Sequence, residues 1–304
     1  MSLIQLPQRD SSPSAQKVTA QSLLQFKQAR QPIAALTAYD YPTARLADQA
    51  GIDLILVGDS LGMAVLGYTS TLPVTMAEML HHTRAVRRGV QRALLVADMP
   101  FGSVHISTEQ TLRNATRFLK NAGAEAVKIE GGRARAELVA TLTAAEIPVV
   151  GHIGLTPQSV HRTGYRVQGR TAQAIDDILA DALALQAAGA IAIVLECVPR
   201  EVAALVTSSI AVPTIGIGAG PDCDGQILVF HDLVNLTGAP PAKFVRRYAD
   251  ASTLFTQAIQ NYQRDVRAST FPAEAESYHL PRGTDLLGIA TTPGAPSLRQ
   301  SHRR

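Results

Sequence analysis

Leu54-Ile55-Leu56-Val57-Gly58-Asp59 (LILVGD, residues 54–59) runs four aliphatic residues into a glycine and an acid. A short stretch this apolar suits a strand covered on both faces, as parallel strands are. The same design recurs along the chain: IAALTAYD (33–40), LLVAD (94–98), AVKIE (126–130), PVVGH (148–152), AIAIVLE (190–196), PTIGIG (213–218) and, weakest, LVNL (233–236). Between these runs lie stretches with apolar residues at helical spacing that stop at glycine, such as TEQTLRNATRFLKNAG (108–123) and TAQAIDDILADALALQAAG (171–189). Glycine there supplies the left-handed conformation of a helix C-cap. The units share rhythm but not residues, so this is no solenoid. Roughly eight strands alternating with helices allow an open doubly wound sheet or a closed (β/α)8 barrel. The polar residues decide. Asp59, Asp98, Glu130, His152 and Glu196 end five different runs, and a barrel gathers all its strand ends around one mouth. An open sheet would string them along a ledge. The expected fold is therefore a single (β/α)8 TIM-type barrel.

Composition sets the outer limits. The chain has 304 residues, 46% hydrophobic and 17% charged, which excludes a disordered or fibrous protein. Lys plus Arg number 28 against 25 Asp plus Glu; Arg299, Arg303 and Arg304 follow the last acid, so the rest balances at 28 − 3 = 25 against 25. No basic patch of the kind that binds nucleic acid is expected. Two cysteines, Cys197 and Cys223, form no C-x-x-C pair, which argues against a disulfide framework or structural zinc. No apolar stretch is long enough to span a membrane, and the first 17 residues lack the apolar core of a secretory signal. A soluble, cytoplasmic protein is expected. Residues 1–17 and 283–304 read as flexible tails around a catalytic domain at 18–282, because neither can bury enough apolar surface to offset its ordering entropy.

Chemistry concentrates at the strand ends. Burying Asp59, Asp98, Glu130 and Glu196 together is unfavourable unless a cation neutralises them. Mg2+ suits such hard oxygen donors and keeps positions open for water or substrate. The plainer reading is that each acid caps the helix after its strand. Lys128 and Glu130, two apart on one strand, face the same way and into the barrel. The ammonium there pairs with Glu130 or binds a substrate carboxylate or developing oxyanion. Glu196 remains free to act as a general base. His152 is either a hydrogen-bonded core histidine or a further active-site residue. The neighbouring His81 and His82 have the wrong spacing for one-face ligation on a helix and read as surface or packing groups. Cys197 reads as a small buried apolar residue. GIGAG (216–220) lacks dinucleotide-fingerprint spacing.

Seven blocks in order identify a family. VGDSLGMAVLGYTSTLPVT (57–75), LLVADMPFGS (94–103), AVKIEGG (126–132), VVGHIGLTPQSV (149–160), GYRVQGR (164–170), VLECVP (194–199) and IGIGAGPDCDGQILV (215–229) together resemble ketopantoate hydroxymethyltransferases. The resemblance spans roughly residues 17–279. It implies a (β/α)8 barrel, assembled as a homo-oligomer, typically a decamer, that uses one Mg2+ per subunit and 5,10-methylenetetrahydrofolate as co-substrate. By resemblance, Asp59 and Asp98 are metal ligands that also touch substrate, and Ser60 and Lys128 bind the keto acid. Glu130 is the third acid at the metal and Glu196 the catalytic base. The implied reaction moves a hydroxymethyl group onto 3-methyl-2-oxobutanoate to give 2-dehydropantoate. A Mg2+-dependent 2-oxo-acid lyase or mutase, of aldolase or isocitrate-lyase type, is the alternative. It would need no folate, and the Cys-Gly-His context of those lyases is absent. The segment NLTGAPPAKFVRRY (235–248) follows the family pattern loosely.

Overall fold

The computed structural model describes residues 16–284, so the expected tail positions 1–15 and 285–304 lie outside the described residues. Two compact units result, one ending at Ala251 and one beginning at Ser252.

The first unit is a closed parallel barrel of eight strands in chain order. They are β1 (Ile33–Thr37), β2 (Leu54–Val57), β3 (Leu94–Asp98), β4 (Ala126–Glu130), β5 (Val149–Gly154), β6 (Ala192–Glu196), β7 (Thr214–Ile217) and β8 (Gly225–Leu228). Pairing of Ile33 with Gly225 and of Leu36 with Leu228 closes the ring. Seven of the eight expected runs coincide with strands. The eighth does not: LVNL falls at the end of a short helix, Phe230–Leu233, and β8 is the earlier GQIL. Two features explain the displacement. Asn235 takes a left-handed φ of 51°, which ends the local helix rather than extending a strand. At Gly225, a Cβ would sit 2.5 Å from the Ile33 carbonyl, so only glycine lets β8 close against β1.

Two apolar layers hold the barrel. Ile33, Ala35, Leu54, Leu56, Leu94, Val96, Ala126, Val150, Ala192 and Val194 alternate along their strands and form one cluster, the barrel interior. The alternate residues, such as Ile55, Val57, Leu95, Val127, Ile129, Ile193 and Leu195, face the surrounding helices. Helix α1 (Ala20–Gln28) sends Leu23 and the preceding Val18 into the interior cluster, closing the N-terminal end of the barrel. Lys27 locks it there through Asp224 at 2.9 Å and the carbonyls of Thr207 and Val212. Lys17 likewise bonds Glu125 and the Ala93 carbonyl.

Outer helices follow most strands: α2 (Tyr41–Gln49), then α3 (Leu61–Ala64) and α4 (Met76–Gly89), α5 (Thr108–Arg117), α6 (Arg133–Ala144), α7 (Val160–Thr163) and α8 (Ala172–Ala187), α9 (Arg200–Ser209) and α10 (Phe230–Leu233). Their N-caps are Thr19, Asp40, Thr75, Ser107 and Thr171 wherever a side chain caps at all. No acid at the end of β2, β3, β4 or β6 caps the helix that follows. All but the first residue of α11 (Ala251–Arg267) belong to the second unit, and none of its residues is buried.

Candidate active site

Along β4, Ala126, Lys128 and Glu130 share the inward face, so the strand passes from apolar floor to charged mouth within five residues. Register aligns the neighbours: Asp98 lies opposite Lys128, and Glu130 opposite His152. His152 sits inside β5 rather than after it, because that strand continues to Gly154. Asp59, Asp98, Lys128, Glu130 and His152 are all buried; Glu196 stands at the rim with its side chain 17% exposed.

These groups form one connected cluster. The Lys128 ammonium lies 2.9 Å from Asp98 Oδ1, 3.7 Å from Glu130 Oε1 and 3.1 Å from His152 Nδ1. On the far side of the imidazole, Nε2 faces Glu196 Oε2 at 3.2 Å. Asp98 Oδ2 accepts the Asp59 N–H. Ser60 Oγ and the buried Tyr39 hydroxyl lie 2.8 Å apart. The expected convergence of Asp59, Asp98, Lys128, Glu130, His152 and Glu196 is what the barrel builds.

The electrostatics follow from burial. Burial pushes the Asp59 carboxyl well above its ordinary range, helped by repulsion from Asp98 and Glu130. Asp98 is raised too, again mainly by burial, with Lys128 opposing. Glu130 is held low against its own burial by Lys128, His152 and the Gln158 N–H. Lys128 is held charged against burial by Asp98, Glu130 and Asp59. Burial and Lys128 oppose protonation of His152, but Glu130 and Glu196 outweigh them and the imidazole is raised above its ordinary value. In the neutral ring, the ammonium 3.1 Å from Nδ1 selects the tautomer that keeps a lone pair there and the proton on Nε2, toward Glu196.

The donor set fits a hard divalent cation. Three buried carboxylates against one ammonium leave a formal −3 + 1 = −2 with a neutral His152. Glu130 Oε1 is buried with no hydrogen-bond donor, and Asp98 Oδ1 has only the Lys128 ammonium beside it at 2.9 Å. Among the described residues, no three His, Cys, Asp or Glu side chains are placed to hold a metal ion together. Mg2+ does not require three, since it takes one or two carboxylates and completes its octahedron with water and substrate oxygens.

Some side chains behave differently from expectation. Cys197 is half-buried rather than packed away, takes a left-handed φ of 48°, and burial beside Glu196 pushes its thiol up to about 11. His81 and His82 are the surface and packing groups expected: His82 Nδ1 lies 2.6 Å from the Tyr39 carbonyl, and His81 is exposed. Two site residues escaped the sequence reading. Gln158 is buried beside Asp59, and Tyr39 lies behind Ser60. Both sit in or beside the quoted runs, but nothing in residue type or spacing marks them.

A closed (β/α)8 barrel with buried acids, a lysine and a rim carboxylate at its C-terminal mouth defines an enzyme. The backbone resembles phosphoenolpyruvate phosphomutase from Streptomyces platensis subsp. rosaceus (TM-score 0.58, 17% identity, 89% of this chain and 96% of that one). It also resembles 2,3-dimethylmalate lyase, of the PEP mutase/isocitrate lyase superfamily (TM-score 0.54, 16% identity, 85% and 91%). At such identities the likeness is one of fold. Sequence narrows the class further. A protein of Koribacter versatilis named 3-methyl-2-oxobutanoate hydroxymethyltransferase is 62% identical over 267 residues, 88% of this chain and 90% of the relative. One of the same name from Carboxydothermus hydrogenoformans is 56% identical over 265 residues, 87% and 96%. Residues 17–274 match the family model described as ketopantoate hydroxymethyltransferase. The chain belongs to that family.

Proposed function

We propose that the protein transfers a hydroxymethyl group from 5,10-methylenetetrahydrofolate to 3-methyl-2-oxobutanoate, giving 2-dehydropantoate for pantothenate and coenzyme A biosynthesis. One observation carries the reading: a formally −2 acid cluster stands beside a separate rim carboxylate in the mouth of a chain from this family. Asp59 and Asp98 would hold one Mg2+, with Glu130 as third acid directly or through water. When bound, Mg2+ supplies Lewis acidity to the keto acid's carboxylate and ketone oxygens.

The chain's own residues do the rest. Ser60 and Lys128 orient the keto acid, and Lys128 stabilises the negative charge that develops on the ketone oxygen as the C3 proton leaves. Glu196 accepts that proton. His152 Nε2, 3.2 Å from Glu196 Oε2, would face the base with its N–H in the tautomer that the Lys128 ammonium beside Nδ1 favours. Water adds to the methylene carbon as both of its bonds to folate nitrogens break, the two nitrogens take up the water's protons, and tetrahydrofolate leaves a one-carbon unit at the formaldehyde level. The C3 electron pair then adds to that carbon, and the proton held by Glu196 passes to the new alkoxide oxygen.

A second reading, a Mg2+-dependent 2-oxo-acid lyase or mutase, has support from the fold, since the barrel is shared with a 2,3-dimethylmalate lyase and a phosphoenolpyruvate phosphomutase. Such an enzyme would form the same enolate without folate. The test is conversion of 3-methyl-2-oxobutanoate with and without methylenetetrahydrofolate, and with and without chelator. Product that requires both folate and free Mg2+ supports the transferase; cleavage without folate overturns it.

Assembly belongs to the proposal as well. On α11, Phe255, Ile259, Tyr262 and Val266 recur at helical spacing on one exposed face, with Leu254 beside them. A subunit contact would cover that stripe, consistent with a homo-oligomer such as the family's decamer. Among the described residues no helix is long and apolar enough to cross a membrane, in keeping with a cytoplasmic enzyme.

A further inference from the structure

After β5 the chain turns sharply across the barrel mouth. Gly154 makes the turn at φ 91°, where a Cβ would sit 2.3 Å from the Glu196 carbonyl oxygen, and Leu155 N–H donates to that same oxygen at 2.8 Å. The single 3-10 turn Pro157–Ser159 then carries Gln158 into the mouth, where it is buried. Gln158 Nε2 donates to Asp59 Oδ2 at 2.8 Å and to the Met99 carbonyl at 3.0 Å. Both partners are acceptors, so the amide nitrogen, not its oxygen, must occupy this position. The Gln158 backbone N–H donates to Glu130 Oε2 at 3.0 Å. One residue thus ties one oxygen of two different acids, on opposite sides of the same cluster.

A pattern follows across the three acids. Asp59 has Oδ2 tied by the Gln158 amide, Glu130 has Oε2 tied by the Gln158 N–H, and Asp98 has Oδ2 tied by the Asp59 N–H. The remaining oxygen of Glu130 carries no hydrogen-bond donor, and that of Asp98 faces only the Lys128 ammonium. A carboxylate with one oxygen hydrogen-bonded is restrained from rotating, which favours presenting its other oxygen singly at a set angle. We propose that Gln158 is the positioning residue of the cation site, pinning Asp59 and Glu130 so that each offers one oxygen to the divalent ion. The inference rests on the cation reading above. It assigns Gln158 no contact with substrate.

Mn2+ serves as the probe, titrated into the full chain and followed by the electron paramagnetic resonance signal of the free ion. Gln158→Met keeps the backbone N–H and most of the volume but removes the amide. The expected result is Mn2+ affinity weaker by about 10- to 100-fold, as outer-shell partners of metal ligands typically contribute. The kcat at saturating metal should largely recover, and the metal-free melting temperature should stay near wild type. A residue that only filled space would lower the melting temperature and leave the Mn2+ constant alone. If Gln158→Met fails to fold, Gln158→Asn, polar but one methylene too short to reach Asp59, gives the same reading. Mn2+ affinity within twofold of wild type in a folded variant overturns the inference by itself. No Mn2+ binding by the wild-type protein overturns the cation reading and this inference with it.

Discussion

The floor and the mouth of this barrel are built by the same strands and obey opposite rules. Below, Leu94, Val96, Ala126, Val150, Ala192 and Val194 exclude water and need only shape. Above, Asp98, Lys128, Glu130 and His152 stand on the same inward faces, and each is tolerable only because the others are present. A group removed from the floor leaves a void; one removed from the mouth leaves an unpaired charge. Within the barrel interior the apolar packing lies at one end and the chemistry at the other, with α1 sealing the apolar end.

The largest expected break in this contrast is at Glu196. Glu196→Gln should lower kcat by about 10²- to 10⁴-fold, the usual contribution of a general base. It should also abolish exchange of the substrate C3 proton with D2O, read by proton NMR, while metal binding persists. Exchange at the wild-type rate would remove Glu196 from the role of base.

Next come paired substitutions on neighbouring strands. Lys128→Met leaves three buried carboxylates without their ammonium, and loss of one partner from a buried ion pair typically destabilises by about 3–5 kcal/mol. Leu94→Ala in the floor should fall in a similar range, about 2–5 kcal/mol, by cavity formation. The two part company on adding Mg2+. Denaturant melts should show the ion restoring more stability to the Lys128 variant than to wild type, because it replaces the missing positive charge. The Leu94 variant should respond as wild type does. Equal responses would mean that the mouth is not held together by charge.

The smallest effect is at Cys197. Burial favours its neutral thiol, so in a Cys223→Ala background the rate of alkylation should rise with pH through about 11 rather than through the ordinary value near 9. A midpoint near 9 would show a thiol more open to water than its packing allows.

Much of this contrast was readable in advance, because both regions leave periodic marks. Parallel strands buried on two faces must be apolar throughout, and a functional acid at a strand end breaks the run where it stops; LILVGD and AVKIE show both signals in six residues or fewer. Asp59, Asp98, Lys128, Glu130 and Glu196 could therefore be placed before any coordinates. Strand β8 could not. Its four residues GQIL have no apolar run, since Gly225 is required by its approach to Ile33 and Gln226 is exposed. The nearby LVNL looks more like a strand but ends a helix. Gln158 was hidden for a different reason. Its partner Asp59 is 99 residues away, and only the turn at Gly154 brings the two together.

The account stands most directly on a crystal structure of the protein grown with Mn2+ and 3-methyl-2-oxobutanoate. It predicts one anomalous peak in the barrel mouth, about 2.0–2.2 Å from single oxygens of Asp59 and Asp98, as octahedral oxygen ligation of a small divalent ion requires. The keto acid's oxygens should complete the shell on the side facing Glu196. Asp59 and Asp98 turned away from each other with no ion between them, under saturating Mn2+, would contradict it.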